Sequence, residues 1–267
     1  AMSVFLEGAR DGKKFIRAAK LAAKQNKPIV AMKVGKSEKG KLAVLSHTGA
    51  LAGVHGVYEG LFRQLGIVRA RDLQDMIDLP IALAWQPMPK GDRVGVITDS
   101  GGVSALLADC LEEEGLQIPT LSENTLEQLS DILPPQAKAR NPLDITATIS
   151  PADLPGLVKS VGHLFAADES CDIILVAISY WPTDVYRETL ESLRDLSHET
   201  SNLRKPMVTV FTAITPSANA ELLEESSAAR LPLYLQPEKA AKAAKALYRY
   251  AKFSRETLRE SRLESHG

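Results

Sequence analysis

Apolar residues follow two periods along this chain. Short, wholly apolar runs alternate with longer segments in which apolar residues recur every three or four positions, as on one face of a helix. Strands separated by helical segments of about a dozen residues are typical of parallel βαβ units, so the pattern predicts an α/β fold with mostly parallel sheets. The predicted strands are the end of one strand at 3–8, a short strand after 66, and full strands at 28–35, 93–98, 172–179, 206–212 and 231–235.

Helical periodicity fills the intervals between these strands. The predicted helices cover 14–25, 48–65, 101–114, 121–133 and 154–164, with a last helix from 238 onward. Two prolines and a glycine between 86 and 92 break both periods and mark a linker. We therefore divide the chain into an incomplete α/β unit at 1–88, a complete doubly wound domain at 89–252 and a C-terminal linker at 253–267.

Composition excludes several classes of protein. Of the 267 residues, 45% are apolar and 24% charged, which is ordinary for a globular protein. A net charge of −1 gives no field that would attract nucleic acid or an anionic membrane, and no apolar run is long enough to span a bilayer. Cys110 and Cys171 are too few for a disulfide framework or a metal site. We expect a soluble cytoplasmic protein without a bound metal.

The first residues are unusual for the start of a domain. Ala1 precedes Met2, and a strand pattern follows at once, without a start signal or a preceding element. We therefore expect this chain to be a piece of a longer protein.

The strongest chemical signal is LSHTGALAG at 45–53, where His47 lies among small residues before a predicted helix. Small residues let a phosphate approach the backbone. Ser46 or Thr48 is predicted to cap the helix, and the following N–H groups, including that of Gly49, would bind an anion. The polar segment 35–41 predicts a mobile loop. A surface histidine in a capping loop explains the same pattern.

A second signal is a strand that passes through Ser100, Gly101, Gly102 and Val103 into a helix. Such turns lie at the carboxyl edge of doubly wound sheets, where ligands bind. The helix N-terminus would hold a phosphoryl group there. The turn lacks the dinucleotide fingerprint, and a tight connection without a ligand is the alternative.

A third segment contains Asn141 and Asp144 around a proline that fixes a turn. Asp144 is predicted to lie near the same sheet edge as Ser100, so the segment is a second candidate site loop. Loop stabilisation by these side chains explains the pattern equally well.

Together these segments resemble the nucleoside-diphosphate-forming acyl-CoA synthetases, relatives of succinyl-CoA synthetase. The resemblance implies two flavodoxin-like, three-layer units, the first from the phosphohistidine domain and the second the ligase-CoA domain. The matching segments are FLEG at 5–8, KVGKS at 33–37, SHTGALAG at 46–53, SGG at 100–102, NPLD at 141–144 and the closing segment 237–251.

The resemblance also implies roles for two residues. The motif histidine of that family is phosphorylated and carries the phosphoryl group between two distant sites, and His47 matches it. A glutamate after the preceding strand supports that histidine, and Glu7 matches its position. A carboxylate that accepts one ring N–H fixes the tautomer and leaves the other nitrogen free to attack phosphorus.

The implied parent enzyme interconverts acyl-CoA, phosphate and ADP with a carboxylic acid, CoA and ATP, through an acyl phosphate and a phosphohistidine. A CoA-binding Rossmann domain and an ATP-grasp domain, on the same or another chain, would complete the CoA, nucleotide and magnesium sites. We therefore expect an oligomer and no tight cofactor binding by this piece. The alternatives are a catalytically silent, ligand-sensing module of a protein acetyltransferase and a flavodoxin-like flavin protein.

Overall fold

A computed structural model describes residues 1–48, 54–145, 149–179, 181–212 and 216–264. The chain forms two compact units: a first unit of residues 1–84 with the chain from Arg249 onward, and a second unit of residues 85–248. The domain assignments 1–88, 89–252 and 253–267 stay predictions. Residue 253 lies within one continuous helix that ends at Glu264.

The first unit contains a three-stranded parallel sheet with the order β1-β2-β3. Leu6 at the end of β1 lies opposite Lys33 at the end of β2. Its small core contains Ala19, Ala31 and Phe62. The elements are β1 (Met2–Leu6), α1 (Gly12–Lys24), β2 (Ile29–Lys33), α2 (Glu38–Thr48), α3 (His55–Gln64), β3 (Val68–Arg69) and α4 (Asp75–Trp85).

The second unit contains a five-stranded parallel sheet with the order β5-β4-β6-β7-β8. Its strands are β4 (Val94–Thr98), β5 (Leu143–Asp144), β6 (Ile173–Ser179), β7 (Met207–Thr212) and β8 (Leu233–Tyr234). Its helices are α5 (Gly101–Glu113), α6 (Glu123–Ile132), α7 (Leu154–Ala167), α8 (Thr183–Asn202), α9 (Pro216–Ala228) and α10 (Pro237–Glu264), the last of which continues beyond the unit.

The two central strands explain why the sequence shows apolar runs rather than alternation. Every residue of β4 and β6 is buried, because helices cover both faces of a parallel sheet. Phe165 and Phe211 are among the largest fully buried side chains of this core. The prediction of an α/β fold with parallel sheets is confirmed.

Helix α2 begins at Glu38, within the predicted loop at 35–41. The Ser37 hydroxyl accepts a hydrogen bond from the Gly40 N–H at 3.1 Å, as an N-cap residue does. Glu38 lies in the first turn, where a carboxylate complements the helix dipole, and pairs with Lys41 at 2.6 Å. Ser37 followed by Glu38 was the available signal for this helix start.

The predicted helix cap at Ser46 or Thr48 is wrong. Ser46 and His47 lie in the last turn of α2, and Thr48 is its final residue. The Ser46 hydroxyl donates to the Leu42 carbonyl oxygen at 2.9 Å, a local bond that hydroxyl residues make inside helices. The next helix begins at His55. In the described part of the chain, no helix is both long enough and apolar enough to cross a membrane.

Candidate functional site

Glu7 and His47 lie together in the first unit. Glu7 follows the carboxyl end of β1, and His47 projects from the last turn of α2. The His47 Nδ1 atom lies 3.4 Å from the Glu7 Oε1 atom. The His47 side chain is 78% exposed, whereas that of Glu7 is 28% exposed. The structure therefore brings the predicted pair together, with the ring accessible from solution.

The contact between Glu7 and His47 distinguishes the two ring nitrogens of the histidine. Because Nδ1 faces the carboxylate, Nε2 is the ring nitrogen left for attack on an electrophile. The second carboxylate oxygen of Glu7, Oε2, is buried and has no hydrogen-bond partner among the described residues. One carboxylate oxygen of Glu7 thus lies beside the imidazole, and the other is buried in the protein.

Lys33 and Tyr58 lie at the same sheet edge as Glu7, and the sequence pattern did not single them out. The Lys33 ammonium lies 4.9 Å from the centroid of the Tyr58 ring and donates to the Val34 carbonyl oxygen. Burial lowers the pKa of Lys33. The Tyr58 hydroxyl accepts a hydrogen bond from the Ala9 N–H at 2.9 Å, which anchors the segment after Glu7.

Ser100, Gly101, Gly102 and Val103 form the predicted strand-to-helix turn in the second unit. Ser100 is the N-cap of α5, and its side chain makes no capping hydrogen bond. Its own N–H donates to the Thr98 hydroxyl at 3.2 Å. The first N–H groups of a helix have no acceptor within the helix, so this end of α5 offers donors to an anion. We call residues 100–103 the cradle.

Asp144 lies at the cradle, as predicted. It is in register with Thr98 across the β4–β5 pair. Its Oδ2 atom is 3.1 Å from the position that a Cβ on Gly101 would occupy. A side chain at position 101 would therefore press against the carboxylate of Asp144.

Asn141 has a different position from Asp144. Its side-chain oxygen accepts from the Val96 N–H at 2.9 Å. Its amide donates to the carbonyl oxygens of Val94 at 3.0 Å and Pro119 at 2.9 Å. These bonds use both amide hydrogens and hold the loop to the amino half of β4. The contacts are those of a loop-stabilising residue, the alternative that the sequence left open.

A buried polar network around Asp99 was not predicted. Asp99 follows β4, is 4% exposed, and accepts hydrogen bonds from the Ser179 N–H at 3.1 Å and from the Ser179 hydroxyl at 2.9 Å. The Trp181 indole N–H also donates to it. Burial raises the pKa of Asp99, and the hydrogen bonds from Trp181 and Ser179 offset this rise only in part.

The network continues to the next strand. The Tyr186 hydroxyl donates to the Thr212 carbonyl oxygen at 2.6 Å and lies 3.5 Å from the Trp181 N–H. Asp99, Ser179 and Thr212 mark the carboxyl ends of β4, β6 and β7, so side chains link three neighbouring strand ends. The position of Asp99 directly before the predicted turn at Ser100 was the available sequence signal for it, whereas nothing local indicated its partners.

Two parts of the predicted site have little or no structural description. Gly49 lies outside the described residues, as does the rest of the segment to 53, and only the backbone of Thr48 is described.

Within the described ranges, no group of three or more His, Cys, Asp or Glu side chains is arranged to hold a metal ion.

Comparisons with known proteins identify relatives of this chain. Residues 1–83 match the family described as the succinyl-CoA ligase like flavodoxin domain. The chain is 38% identical over 255 residues to the ADP-forming acetate–CoA ligase II subunit alpha of Pyrococcus furiosus, covering 94% of this chain and 54% of that relative. It is 32% identical to the ADP-forming acetate–CoA ligase of Methanocaldococcus jannaschii, covering 93% of this chain and 34% of that relative.

A solved structure is similar over nearly the whole chain. Acetyl-coenzyme A synthetase 1 of Candidatus Korarchaeum cryptofilum, in complex with phosphate and ADP, matches with a TM-score of 0.81 and 27% identity, over 97% of this chain and 55% of that one. The chain thus spans about half the length of the first relatives it matches. The predicted resemblance and the flavodoxin-like fold are confirmed.

Proposed function

We propose that this chain is the phosphoryl-carrying part of an acyl-CoA synthetase, because residues 1–83 match the family of succinyl-CoA ligase-like flavodoxin domains and 94% of the chain aligns with an ADP-forming acetate–CoA ligase subunit alpha. The complete enzyme would interconvert acyl-CoA, phosphate and ADP with a carboxylic acid, CoA and ATP.

One observation carries this proposal, the 3.4 Å separation of His47 Nδ1 and Glu7 Oε1. Phosphate would displace CoA from the acyl-CoA to give an acyl phosphate. The His47 Nε2 would then attack phosphorus and release the carboxylate of the acid. The imidazole gains positive character in this step, and its Nδ1–H would donate to Glu7, which stabilises that charge. ADP would finally accept the phosphoryl group and restore the neutral ring.

The cradle supports a second role for this chain. A phosphate group is anionic, and the N-terminus of α5 presents N–H groups that have no acceptor within the helix. We assign residues Ser100, Gly101, Gly102 and Val103 to phosphate binding. A relative of similar fold has been solved with phosphate and ADP bound.

The remaining machinery would come from partners. We propose a CoA-binding Rossmann domain and an ATP-grasp domain, on the same chain or on another subunit, with Mg²⁺ accompanying the nucleotide. Such an assembly is consistent with a relative that is named as a subunit alpha. The ligand-sensing alternative finds no support among these ligase relatives, and we do not propose it.

Phosphoryl transfer to the 267-residue chain tests the proposal. With ³²P-labelled acetyl phosphate we expect acid-labile label on the wild type and none on His47→Ala. Glu7→Gln should fold normally and lose most of the label, because the amide does not stabilise a cationic ring as a carboxylate does.

His163→Ala is the matched control, because His163 also forms a carboxylate pair, with Glu199 in the second unit. This variant should be labelled like the wild type. Label that persists in His47→Ala, or an unlabelled wild type, would refute the proposal. Formation of ATP from acyl-CoA, phosphate and Mg-ADP by the full enzyme extends the same test to the complete reaction.

A further inference from the structure

Asp99 is a buried carboxylate that the proposed chemistry does not use. It is 4% exposed and accepts hydrogen bonds from the backbone and hydroxyl of Ser179 and from the Trp181 indole. All of these donors are neutral. No basic side chain forms an ion pair with Asp99 in the described part of the second unit.

The absence of a cation makes this arrangement costly. Transfer of an ionised carboxylate from water into a protein interior is unfavourable unless the charge is well compensated. The raised pKa of Asp99 is the mark of that cost. Groups with perturbed pKa values are concentrated at functional sites.

The position of Asp99 indicates what it can control. Its neighbour Ser100 is the N-cap of α5, so the backbone of Asp99 leads directly into the cradle. Its side chain accepts hydrogen bonds from Ser179, the last residue of β6, and from the Trp181 indole. One carboxylate therefore links the residue that precedes the cradle to the end of the adjacent strand and to Trp181.

We propose that Asp99 is a positioning residue that couples the cradle to the Trp181 segment, so that the N–H groups of α5 are preorganised for a phosphate group. This inference rests on the proposed phosphate-binding role of the cradle. Because the Trp181 indole bonds the carboxylate of Asp99, its fluorescence is expected to respond when the cradle binds phosphate.

Asp99→Asn breaks this coupling with little change in volume. The asparagine amide has one acceptor oxygen and places N–H donors where Ser179 and Trp181 also donate. The resulting loss of preorganisation is expected to weaken phosphate binding about tenfold, since donors that must be ordered on binding cost affinity. The emission of Trp181 should change at the same time.

Asp168→Asn is the matched control. Asp168 is also 4% exposed in the second unit and also accepts hydrogen bonds from neutral groups, Ser122 and Ser170. It precedes β6 rather than following a strand, so it lies at the opposite sheet edge from the cradle. If Asp99 had a purely structural role, Asp99→Asn and Asp168→Asn would have the same phosphate affinity.

The experiment uses the full chain in a Trp85→Phe background, so that Trp181 is the sole tryptophan. Inorganic phosphate is titrated while fluorescence is recorded, and calorimetry gives the affinity. We expect a saturable response that is retained in Asp168→Asn and shifted about tenfold in Asp99→Asn. Equal affinities in the two variants, or no phosphate response in the parent, would overturn the inference.

A further variant covers the case in which Asp99→Asn does not fold. Trp181→Phe removes a single donor from a partly exposed side chain, and its phosphate affinity by calorimetry should fall about fivefold. An unchanged affinity would count against the proposal. Labelling of His47 is measured separately. Unchanged phosphate affinity in these variants, with normal labelling of His47, refutes this inference alone. Absence of labelling refutes the proposed function.

Discussion

Asp99 and Asp168 are equally buried in the second unit, yet their pKa values shift in opposite directions. Burial raises the pKa of both carboxyls. For Asp168, hydrogen bonds from Thr125, Ser170 and Ser122 outweigh burial, and its pKa falls below the usual range of an aspartate. For Asp99, burial outweighs the hydrogen bonds from Trp181 and Ser179.

The opposite pKa shifts of Asp99 and Asp168 correspond to their positions at opposite ends of the strands. Asp168 lies before β6, where Arg93 and Asp172 also form an ion pair at 2.7 Å, and these groups stabilise the fold. Asp99 lies after β4, beside the cradle. In parallel sheets the carboxyl ends of the strands carry ligands, and strain at a functional site is tolerated because the rest of the fold compensates for it.

The largest effect on stability is expected at the amino half of β4. Asn141→Ala removes three hydrogen bonds and leaves the buried Val96 N–H without an acceptor. Because each such bond contributes roughly 0.5–1.5 kcal/mol, the free energy of unfolding should fall by about 3 kcal/mol. Urea unfolding measures this, and a loss below about 1 kcal/mol would contradict a structural role for Asn141.

Gly95 in β4 and Gly101 at the start of α5 offer a second contrast. A Cβ on Gly95 would lie 2.6 Å from the Phe165 ring and 2.9 Å from the Cys171 Sγ. Gly95→Ala should therefore destabilise the unit by about 2 kcal/mol through overpacking.

Gly101→Ala should reduce stability less than Gly95→Ala, because its nearest atom, the Asp144 Oδ2, would lie 3.1 Å away and would have to shift by only a few tenths of an ångström. Its methyl group should instead weaken phosphate binding at the cradle. Thermal unfolding and phosphate titration of both variants check the contrast, and a reversed pattern would contradict it.

Asp168→Asn should destabilise the second unit by about 1.5–2 kcal/mol at neutral pH, since hydrogen bonds to a charged acceptor are lost. Chemical denaturation measures the loss. A change of less than about 0.5 kcal/mol would show that the hydrogen bonds around Asp168 contribute little.

The smallest effect is the dependence of stability on pH. The pKa of Asp168 is lowered on folding, so its contribution is complete above the ordinary aspartate pKa of 3.8 and is lost only as pH falls below that value. The pKa of Asp99 is raised, so its contribution is largest at acidic pH and is lost as pH rises through its folded-state pKa.

Between pH 7 and 5, the stability gap between the wild type and Asp168→Asn should therefore stay constant. The wild type should gain stability relative to Asp99→Asn as pH falls through the folded-state pKa of Asp99, which lies above the ordinary aspartate value. Urea titrations at several pH values measure both gaps. Parallel curves for the two variants would mean that the environments of the two aspartates do not differ as described.

The sequence by itself predicted the alternation of most strands and helices and the parallel α/β fold, and its resemblance to the acyl-CoA synthetases indicated the candidate pair of Glu7 and His47. These features depend on local periodicity, on turn residues and on motifs a few residues long. Such patterns can be recognised in a sequence without knowledge of its tertiary contacts. The sequence predicted neither strand β5 nor helix α2. Helix α2 was missed because a glycine and several charged residues weakened its apolar pattern, although Ser37 provided a cap.

Only the tertiary structure decided that Asn141 stabilises β4 and that Asp99 is bound by Ser179 and Trp181. Asp99 and Ser179 are 80 positions apart in the chain. Hydrogen bonds between such distant residues exist only after the strands have paired and the helices have packed on both faces of the sheet. No local pattern encodes which carboxylate will be buried without a cation, because burial is a property of the assembled layers.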